Sequence, residues 1–313
     1  MTALASRPAQ QETAAAGRGV THVLGHAFVS VLAAAGVALV YYACVRTSPG
    51  QKVDTLAMRG ADVQHPRVVE VLDRALNGTT LVSLVAVCLA AAAIGIIRRR
   101  ADLAIGAAIL VLGANATTQL LKSRLPRPDL DGFPAPNSFP SGHTTAAASV
   151  AFALILVLPF AVRGTVALAG AAYVTIIAIA TVWAEWHRPS DTVAALLVVL
   201  AWAALASAFV RARRVRITGV TARPNRKAML LFTVVGAFSA VAALLGLGAV
   251  ALSHTLVPGL ASGRVAFGAG AAAVTASVAA IFAVWVRLAA GDQPSSPSSP
   301  RVPASALSAP LPD

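Results

Sequence analysis

Long apolar runs alternate with short polar intervals along this chain. The runs lie at residues 27–45, 79–97, 102–121, 144–162, 165–184, 192–210, 229–252 and 265–289. A helix needs about 20 residues to cross a bilayer, so the pattern predicts an all-α fold, a polytopic transmembrane helical bundle with eight spans. Only Arg163 and Gly164 separate the fourth run from the fifth, which predicts a tight hairpin there. Residues 1–24 are polar and Ala-rich, residues 290–313 are rich in Pro and Ser, and both are expected to be disordered. In the polar stretch 47–77, Val68, Val71, Leu72, Ala75 and Leu76 share one helical face. Arg67, Glu70, Asp73 and Arg74 mostly take the other, which suits a short helix lying on a membrane surface.

Composition agrees with the pattern: 57% of residues are hydrophobic and only 12% charged, against about 25% charged in soluble domains. The net charge of +13 raises nucleic acid as a partner. The basic residues sit mainly in loops between apolar runs, without interleaved aromatics, so no nucleic acid is expected and membrane topology explains the charge. With the N-terminus inside, 15 of the 25 basic residues and four of the 12 acidic ones fall on the inner side. Both termini are then expected to be cytoplasmic, with loops 122–143 and 185–191 outside. The first apolar run is long for a signal peptide and lacks a clear cleavage site, so it is expected to be a retained span. Cys44 and Cys88 lie inside apolar runs, and neither a disulfide framework nor a metal-ligand spacing is present. No metal or other cofactor is expected.

The two outer loops hold most of the unusual polar residues. Ser141 suits a helix N-cap, so Pro140-Ser141-Gly142-His143 opens the fourth span. Free N–H groups and the positive end of the dipole would attract an anion there, Gly142 would permit close approach to the backbone, and His143 could donate a proton. An ordinary cap followed by an interfacial histidine fits equally well. His187 and Asp191 are four residues apart, on one face if helical. The carboxylate would fix the imidazole tautomer and leave the other nitrogen free to attack; the alternative is a helix-end charge beside a loop histidine. Lys122, Arg124 and Arg127 can clamp phosphate oxygens or anchor the membrane edge. Asn115, Gln119 and Lys122 share a face that points into the bundle, where Asn115 is expected to bond a neighbouring helix. Trp183 and Trp186 read as interface anchors.

In combination and order these motifs resemble the type-2 phosphatidic acid phosphatase (PAP2, or lipid phosphate phosphatase) superfamily. The resemblance rests on Lys122/Arg127/Pro128, Pro140 to His143, and His187/Asp191. It covers residues 100–210 well and, through a six-span arrangement, extends to about residue 25. It implies a catalytic membrane domain over 25–211; the basic cytoplasmic loop expected over 212–228 and the two additional spans expected over 229–289 lie outside it. It also implies that His187 attacks phosphorus to form a phosphohistidine, that Asp191 supports it, and that His143 protonates the leaving group. Lys122, Arg127, Ser141 and Gly142 would bind the phosphoryl oxygens without a metal. The implied substrate is a lipid phosphate or diphosphate reached from the membrane, such as phosphatidate or a polyprenyl diphosphate, hydrolysed on the extracytoplasmic face of the cell membrane. A lipid-linked phosphotransferase, or a non-catalytic lipid-binding or transport protein on the same fold, are the alternatives. The chain departs from the family pattern twice: four residues separate Lys122 from Arg127 where six are usual, and Thr181 stands where an arginine is expected. Arg188 is one candidate to supply the missing charge and Arg124 another; Arg188 facing water or lipid headgroups is the competing reading. Oligomeric state is not legible.

Overall fold

A computed structural model describes residues 6–61, 70, 74, 81–213, 224–255 and 262–290. Every element among them is helical: α1 (Ser6–Val40, continued by a π-helical turn Tyr41–Val45), α2 (Ser48–Arg59), α3 (Leu81–Ile97), α4 (Ala101–Arg124), α5 (Gly142–Val157), α6 (Phe160–Trp183), α7 (Pro189–Ala212), α8 (Arg226–Thr255) and α9 (Gly263–Ala290). Among the described residues six stretches are long and apolar enough to cross a membrane: Val23–Val45, Ala101–Arg124, Phe160–Trp183, Pro189–Ala212, Arg226–Ser253 and Gly263–Ala290. The chain is therefore built as a multi-pass helical membrane protein. Each of the eight expected runs contains a helix, but the run 144–162 is broken at Leu158–Pro159, and α3 and α5 are shorter than the other six. α1 begins at Ser6, inside the stretch expected to be disordered. Of the surface helix expected near 68–76 only Glu70 and Arg74 are described, joined by an exposed ion pair. The tail after residue 290 and most of the basic loop 212–228 lie outside the described residues.

α5 sits at the centre. Eleven of its sixteen residues are buried, against α3, α4, α6, α7 and α9. Small residues allow these close approaches. A Cβ added at Gly106 of α4 would come 2.9 Å from Val210 of α7, and one at Gly113 would come 2.4 Å from the Trp202 ring. Polar side chains tie the same helices: Asn115 of α4 donates to Ser149 of α5 (3.2 Å), Thr118 bonds Thr145 (2.9 Å), and Trp202 donates to Thr117 (3.0 Å). In the absence of a hydrophobic driving force between helices in lipid, such packing and bonding hold a bundle together. Asn115 thus does what its position on the polar face predicts.

The hairpin between the fourth and fifth runs turns earlier than expected. α5 stops at Val157 because Pro159 forces Leu158 into an extended conformation (ψ 156°). Arg163, expected in the turn, lies inside the first turn of α6 and is only 4% exposed. Its guanidinium donates to the carbonyls of Leu156 (2.9 Å), Leu158 (2.9 Å) and Ala289 (2.7 Å). These are carbonyls at the C-terminal ends of α5 and α9, which a helix leaves without partners. A polar residue in an apolar run reads as a boundary, whereas here it satisfies the boundary from within the next helix.

α9 is part of the bundle. Phe152 of α5 stacks on Trp285 (5.3 Å between ring centres, 10° between planes) and meets Phe282 edge-on at 4.9 Å. α8 packs on α9 and turns Leu230, Leu231, Val234, Phe238, Val241, Leu244 and Leu245 outward, as a lipid-facing helix does.

Arg163→Met removes all three bonds and leaves the carbonyls dry. It is expected to cost roughly 2–4 kcal/mol, measured as a lower unfolding temperature in detergent, with the α5–α9 contact loosened.

Candidate active site

The chemistry gathers at one end of the bundle, where α4 and α6 finish and α5, α7 and α9 begin. α4 ends as Leu125 turns extended (ψ 127°) ahead of Pro126. The loop that follows returns to α5 through a cis Phe139–Pro140 peptide. Asn137 organises it, donating to the carbonyls of Lys122 (3.1 Å) and Leu125 (2.9 Å), and Tyr41 at the end of α1 donates to Pro126 O (2.7 Å).

Asp191 is the hub and has no solvent exposure. Its Oδ1 accepts from Arg127 Nη2 (2.7 Å). Its Oδ2 accepts from Ser138 Oγ (2.5 Å) and from the Arg188 backbone N–H (3.0 Å), the latter as an N-terminal capping contact of α7. His187 Nδ1 lies 3.5 Å from the same oxygen. The carboxylate therefore holds the loop cation, while His187 Nδ1, buried and 3.5 Å away, makes no hydrogen bond. The expected helical pairing of His187 with Asp191 is replaced by a cap: α7 starts at Pro189, so His187 precedes it. The backbone N–H groups of Trp186 and His187 both donate to Thr181 O (3.0 and 3.1 Å).

Arg127 is committed through one nitrogen only. Its Nε and Nη1 are buried and make no hydrogen bond, so two strong donors stand ready for an outside acceptor. Close by, Ser141 caps α5, its hydroxyl accepting from Thr144 N (3.3 Å), and its own N–H donates to Asp191 O (2.9 Å). The N–H groups of Gly142 and His143 have no acceptor among the described residues. A Cβ at Gly142 would meet only Gln119 Nε2, at 3.8 Å, so the approach to this backbone is open. His143 is 6.4 Å from His187 between ring centres and 5.5 Å from the Trp186 ring. Trp186, expected as an interface anchor, packs beside His143 while remaining 42% exposed. The half-buried Lys122 makes no side-chain hydrogen bond among the described residues. The structure thus brings Lys122, Arg127, Ser141, Gly142, His143, His187 and Asp191 to the same end of the bundle.

Two other residues take different places. Thr181 is fully buried and its hydroxyl donates back to Ala178 O (2.8 Å). Arg188 is 2% exposed, facing neither water nor headgroups. Its Nε donates to Thr55 Oγ1 (2.8 Å) and its Nη2 is 3.9 Å from Asp131. Burial alone would raise the Asp131 pKa, but bonds from Thr55 and the Phe133 N–H, with the charge of Arg188, hold it below the usual carboxylate range.

The polar face of α2 does not stand out in the sequence. Thr47 caps this helix and Pro49 occupies its first turn. Gln51 donates to Val45 O and Pro128 O (both 2.7 Å) and accepts from Leu130 N (3.1 Å). Thr55 donates to Asp131 (2.5 Å). Asp54 accepts from Ser190 N (3.0 Å) and Ser190 Oγ. Residues 51, 54, 55 and 58 recur at helical spacing, and a cap stands at Thr47; those are the signals a sequence reading has for this helix.

A buried carboxylate, a histidine pair and cations thus gather at a helix N-terminus on a multi-pass helical bundle. Residues 103–215, from α4 to just past α7, match the family model of the PAP2 superfamily. The class of chemistry that follows is phosphatase-type activity on phosphate esters. No curated protein and no solved structure matches the chain. Every sequence-predicted site residue falls inside the matched stretch, whereas Gln51, Asp54 and Thr55 fall outside it.

Asp54 has its pKa pushed up to about 7, first by burial and then by the charge of Asp191, against the bonds from Ser190 and the charge of Arg127. The folded state then holds a proton that the unfolded chain, with an Asp near 3.8, has released. This group's contribution to stability grows as pH falls from about 7 towards 3.8. Asp54→Asn should be more stable than the parent at higher pH, with the advantage shrinking through that window, as read by thermal unfolding in detergent.

Proposed function

We propose that this protein hydrolyses a lipid phosphate or diphosphate through a phosphohistidine on His187. The reading is carried by one observation: two buried Arg127 donors without partners, beside an open helix N-terminus flanked by two histidines. An anion with several acceptor oxygens is the ligand that such donors suit. The apolar helices around the site supply a membrane setting for a lipid tail.

In this reading Asp191 holds His187 Nδ1, and Nε2 attacks phosphorus. The N–P bond forms as the P–O bond to the leaving group breaks, and His143 delivers its proton to the departing oxygen. Water then attacks phosphorus, returns a proton to His143 and frees His187. Reacting atoms need to approach to about 3–3.5 Å, and the 6.4 Å between ring centres is of a size to bracket one phosphoryl group. Lys122, Arg127 and the N–H groups of Gly142 and His143 stabilise the charge on the transferring group. Among the described residues no group of three His, Cys, Asp or Glu side chains comes together as a metal site, and the reading assigns charge neutralisation to Lys and Arg.

The test is phosphate release by purified protein against a panel of lipid phosphates and diphosphates. His187→Ala should abolish turnover, and EDTA should leave it unchanged. Appearance of a phosphorylated lipid or sugar acceptor instead of free phosphate makes the protein a transferase. No turnover on any substrate favours a binding or transport role. Removing one oxyanion contact costs about 2.7–4 kcal/mol in comparable sites, so Lys122→Ala should lower kcat roughly a hundred- to a thousandfold.

The site is proposed to face the outside of the cell, on the split of basic residues. In a protein lacking Cys44 and Cys88, a cysteine at Leu130 should react with an impermeant thiol reagent on intact cells, and one at Arg99 should not. The reverse pattern inverts the topology.

A further inference from the structure

Two helix N-termini open at the site, and they are treated differently. At α5 the N–H groups of Gly142 and His143 are unfilled. At α7 every early donor is used. Pro189 has no N–H, the Asp191 N–H bonds Arg188 O (3.0 Å), and the Arg188 N–H bonds the Asp191 carboxylate (3.0 Å). The remaining N–H, that of Ser190, is taken by a side chain from outside the PAP2-matched stretch: Asp54 of α2, whose second oxygen accepts the Ser190 hydroxyl.

We propose that Asp54 is a positioning residue, which fixes the first turn of α7 so that His187 and Asp191 stay in register with Arg127 and the N-terminus of α5. The proposal rests on the phosphatase reading for its kinetic consequence. Ser190 stands directly before Asp191, whose Oδ1 accepts from Arg127 and whose Oδ2 lies 3.5 Å from His187 Nδ1. A shift of this turn moves the nucleophile relative to the α5 N-terminus. α2 is itself anchored against that shift. Gln51 bonds Pro128 O and Leu130 N of the Arg127 loop, and Thr55 bonds Asp131 and the Arg188 side chain. On its far side α2 meets α9, where a Cβ at Gly60 would come 1.8 Å from Gly263 O. α9 also supports the turn: a Cβ at Gly270 would come 2.9 Å from Pro189 Cγ and 3.1 Å from Ala57 Cβ. The turn is thus seated between a hydrogen-bonding helix and a glycine contact, neither of which touches the phosphoryl pocket.

Asparagine can keep both bonds, its amide oxygen accepting from Ser190 N and its amide nitrogen donating to Ser190 Oγ. Alanine keeps neither. The experiment compares Asp54→Ala, Asp54→Asn, Ser190→Ala and Lys52→Ala (an exposed residue of the same helix) in full-length protein in detergent. It reads kcat and KM for phosphate release, and amide hydrogen exchange over 186–193. Asp54→Ala is expected to lower kcat about 30- to 100-fold with KM changed less than about threefold, and to speed exchange in that segment. Ser190→Ala, which loses one bond, should fall between it and the parent, and Asp54→Asn and Lys52→Ala should stay near the parent. If Asp54→Ala does not fold, Ser190→Ala carries the comparison. Unchanged kcat, unchanged exchange over 186–193, or an equal loss in Asp54→Asn and Asp54→Ala overturns the proposal. If the parent releases no phosphate, the phosphatase reading fails instead, and exchange over 186–193 alone decides whether Asp54 holds the turn.

Discussion

A single buried carboxylate has to satisfy its lone pairs in a place without water, and the site is built around that need. An uncompensated charge at Asp191 would be costly to bury. It finds Arg127, Ser138, the Arg188 N–H and, at longer range, His187. These groups come from two loops: Arg127 and Ser138 from the one between α4 and α5, and His187 and Arg188 from the turn between α6 and α7. Satisfying one carboxylate therefore brings together the two loops that carry the candidate site.

The same logic of unsatisfied groups separates the parts of the site that are finished from the parts that are open. The N-terminus of α7 is closed by internal acceptors, and Arg127 Nη2 is closed by Asp191. Arg127 Nε and Nη1 and the first amides of α5 are not closed. A ligand that supplies several oxygens completes the set, and donors held ready in this way account for much of the rate enhancement in many enzymes. The opposite end of the bundle shows the converse case. There Arg163 spends its guanidinium on carbonyls at the ends of two helices, and its charge serves structure alone.

Much of this can be read from the chain before its coordinates. Apolar runs mark every long helix, because a bilayer imposes both length and polarity. The motifs around Arg127, His143 and His187 are legible because their residues lie within short windows. Three features are hidden for physical reasons. The α5–α6 turn reads as Arg163 and Gly164 although Pro159 causes it, because a buried arginine satisfied by carbonyls looks the same in sequence as one facing water. α2 buries Gln51, Asp54 and Thr55 through hydrogen bonds, and its apolar stripe is only Val53, Leu56 and Ala57, too short to mark a helix in the sequence. Arg127 and Asp191 are 64 residues apart, and a pairing made only by tertiary structure leaves no local trace. The departure at Thr181 is visible in the sequence, but its place in the fold is not: its carbonyl anchors the backbone of His187 while its hydroxyl turns back on its own helix.

The stack of Phe152 on Trp285 changes what should be regarded as one object. The family match ends at residue 215, yet the aromatic rings that fill the centre of the bundle come from both sides of that border. The matched stretch is smaller than the stretch that is solid. Grafted elsewhere without the last helix, it would present a dry aromatic face with nothing to cover it. α9 is therefore held by volume and by bonding together: its residues fit the shapes of Phe152 and Pro189, and Trp285 also donates from Nε1 to Phe152 O (3.3 Å).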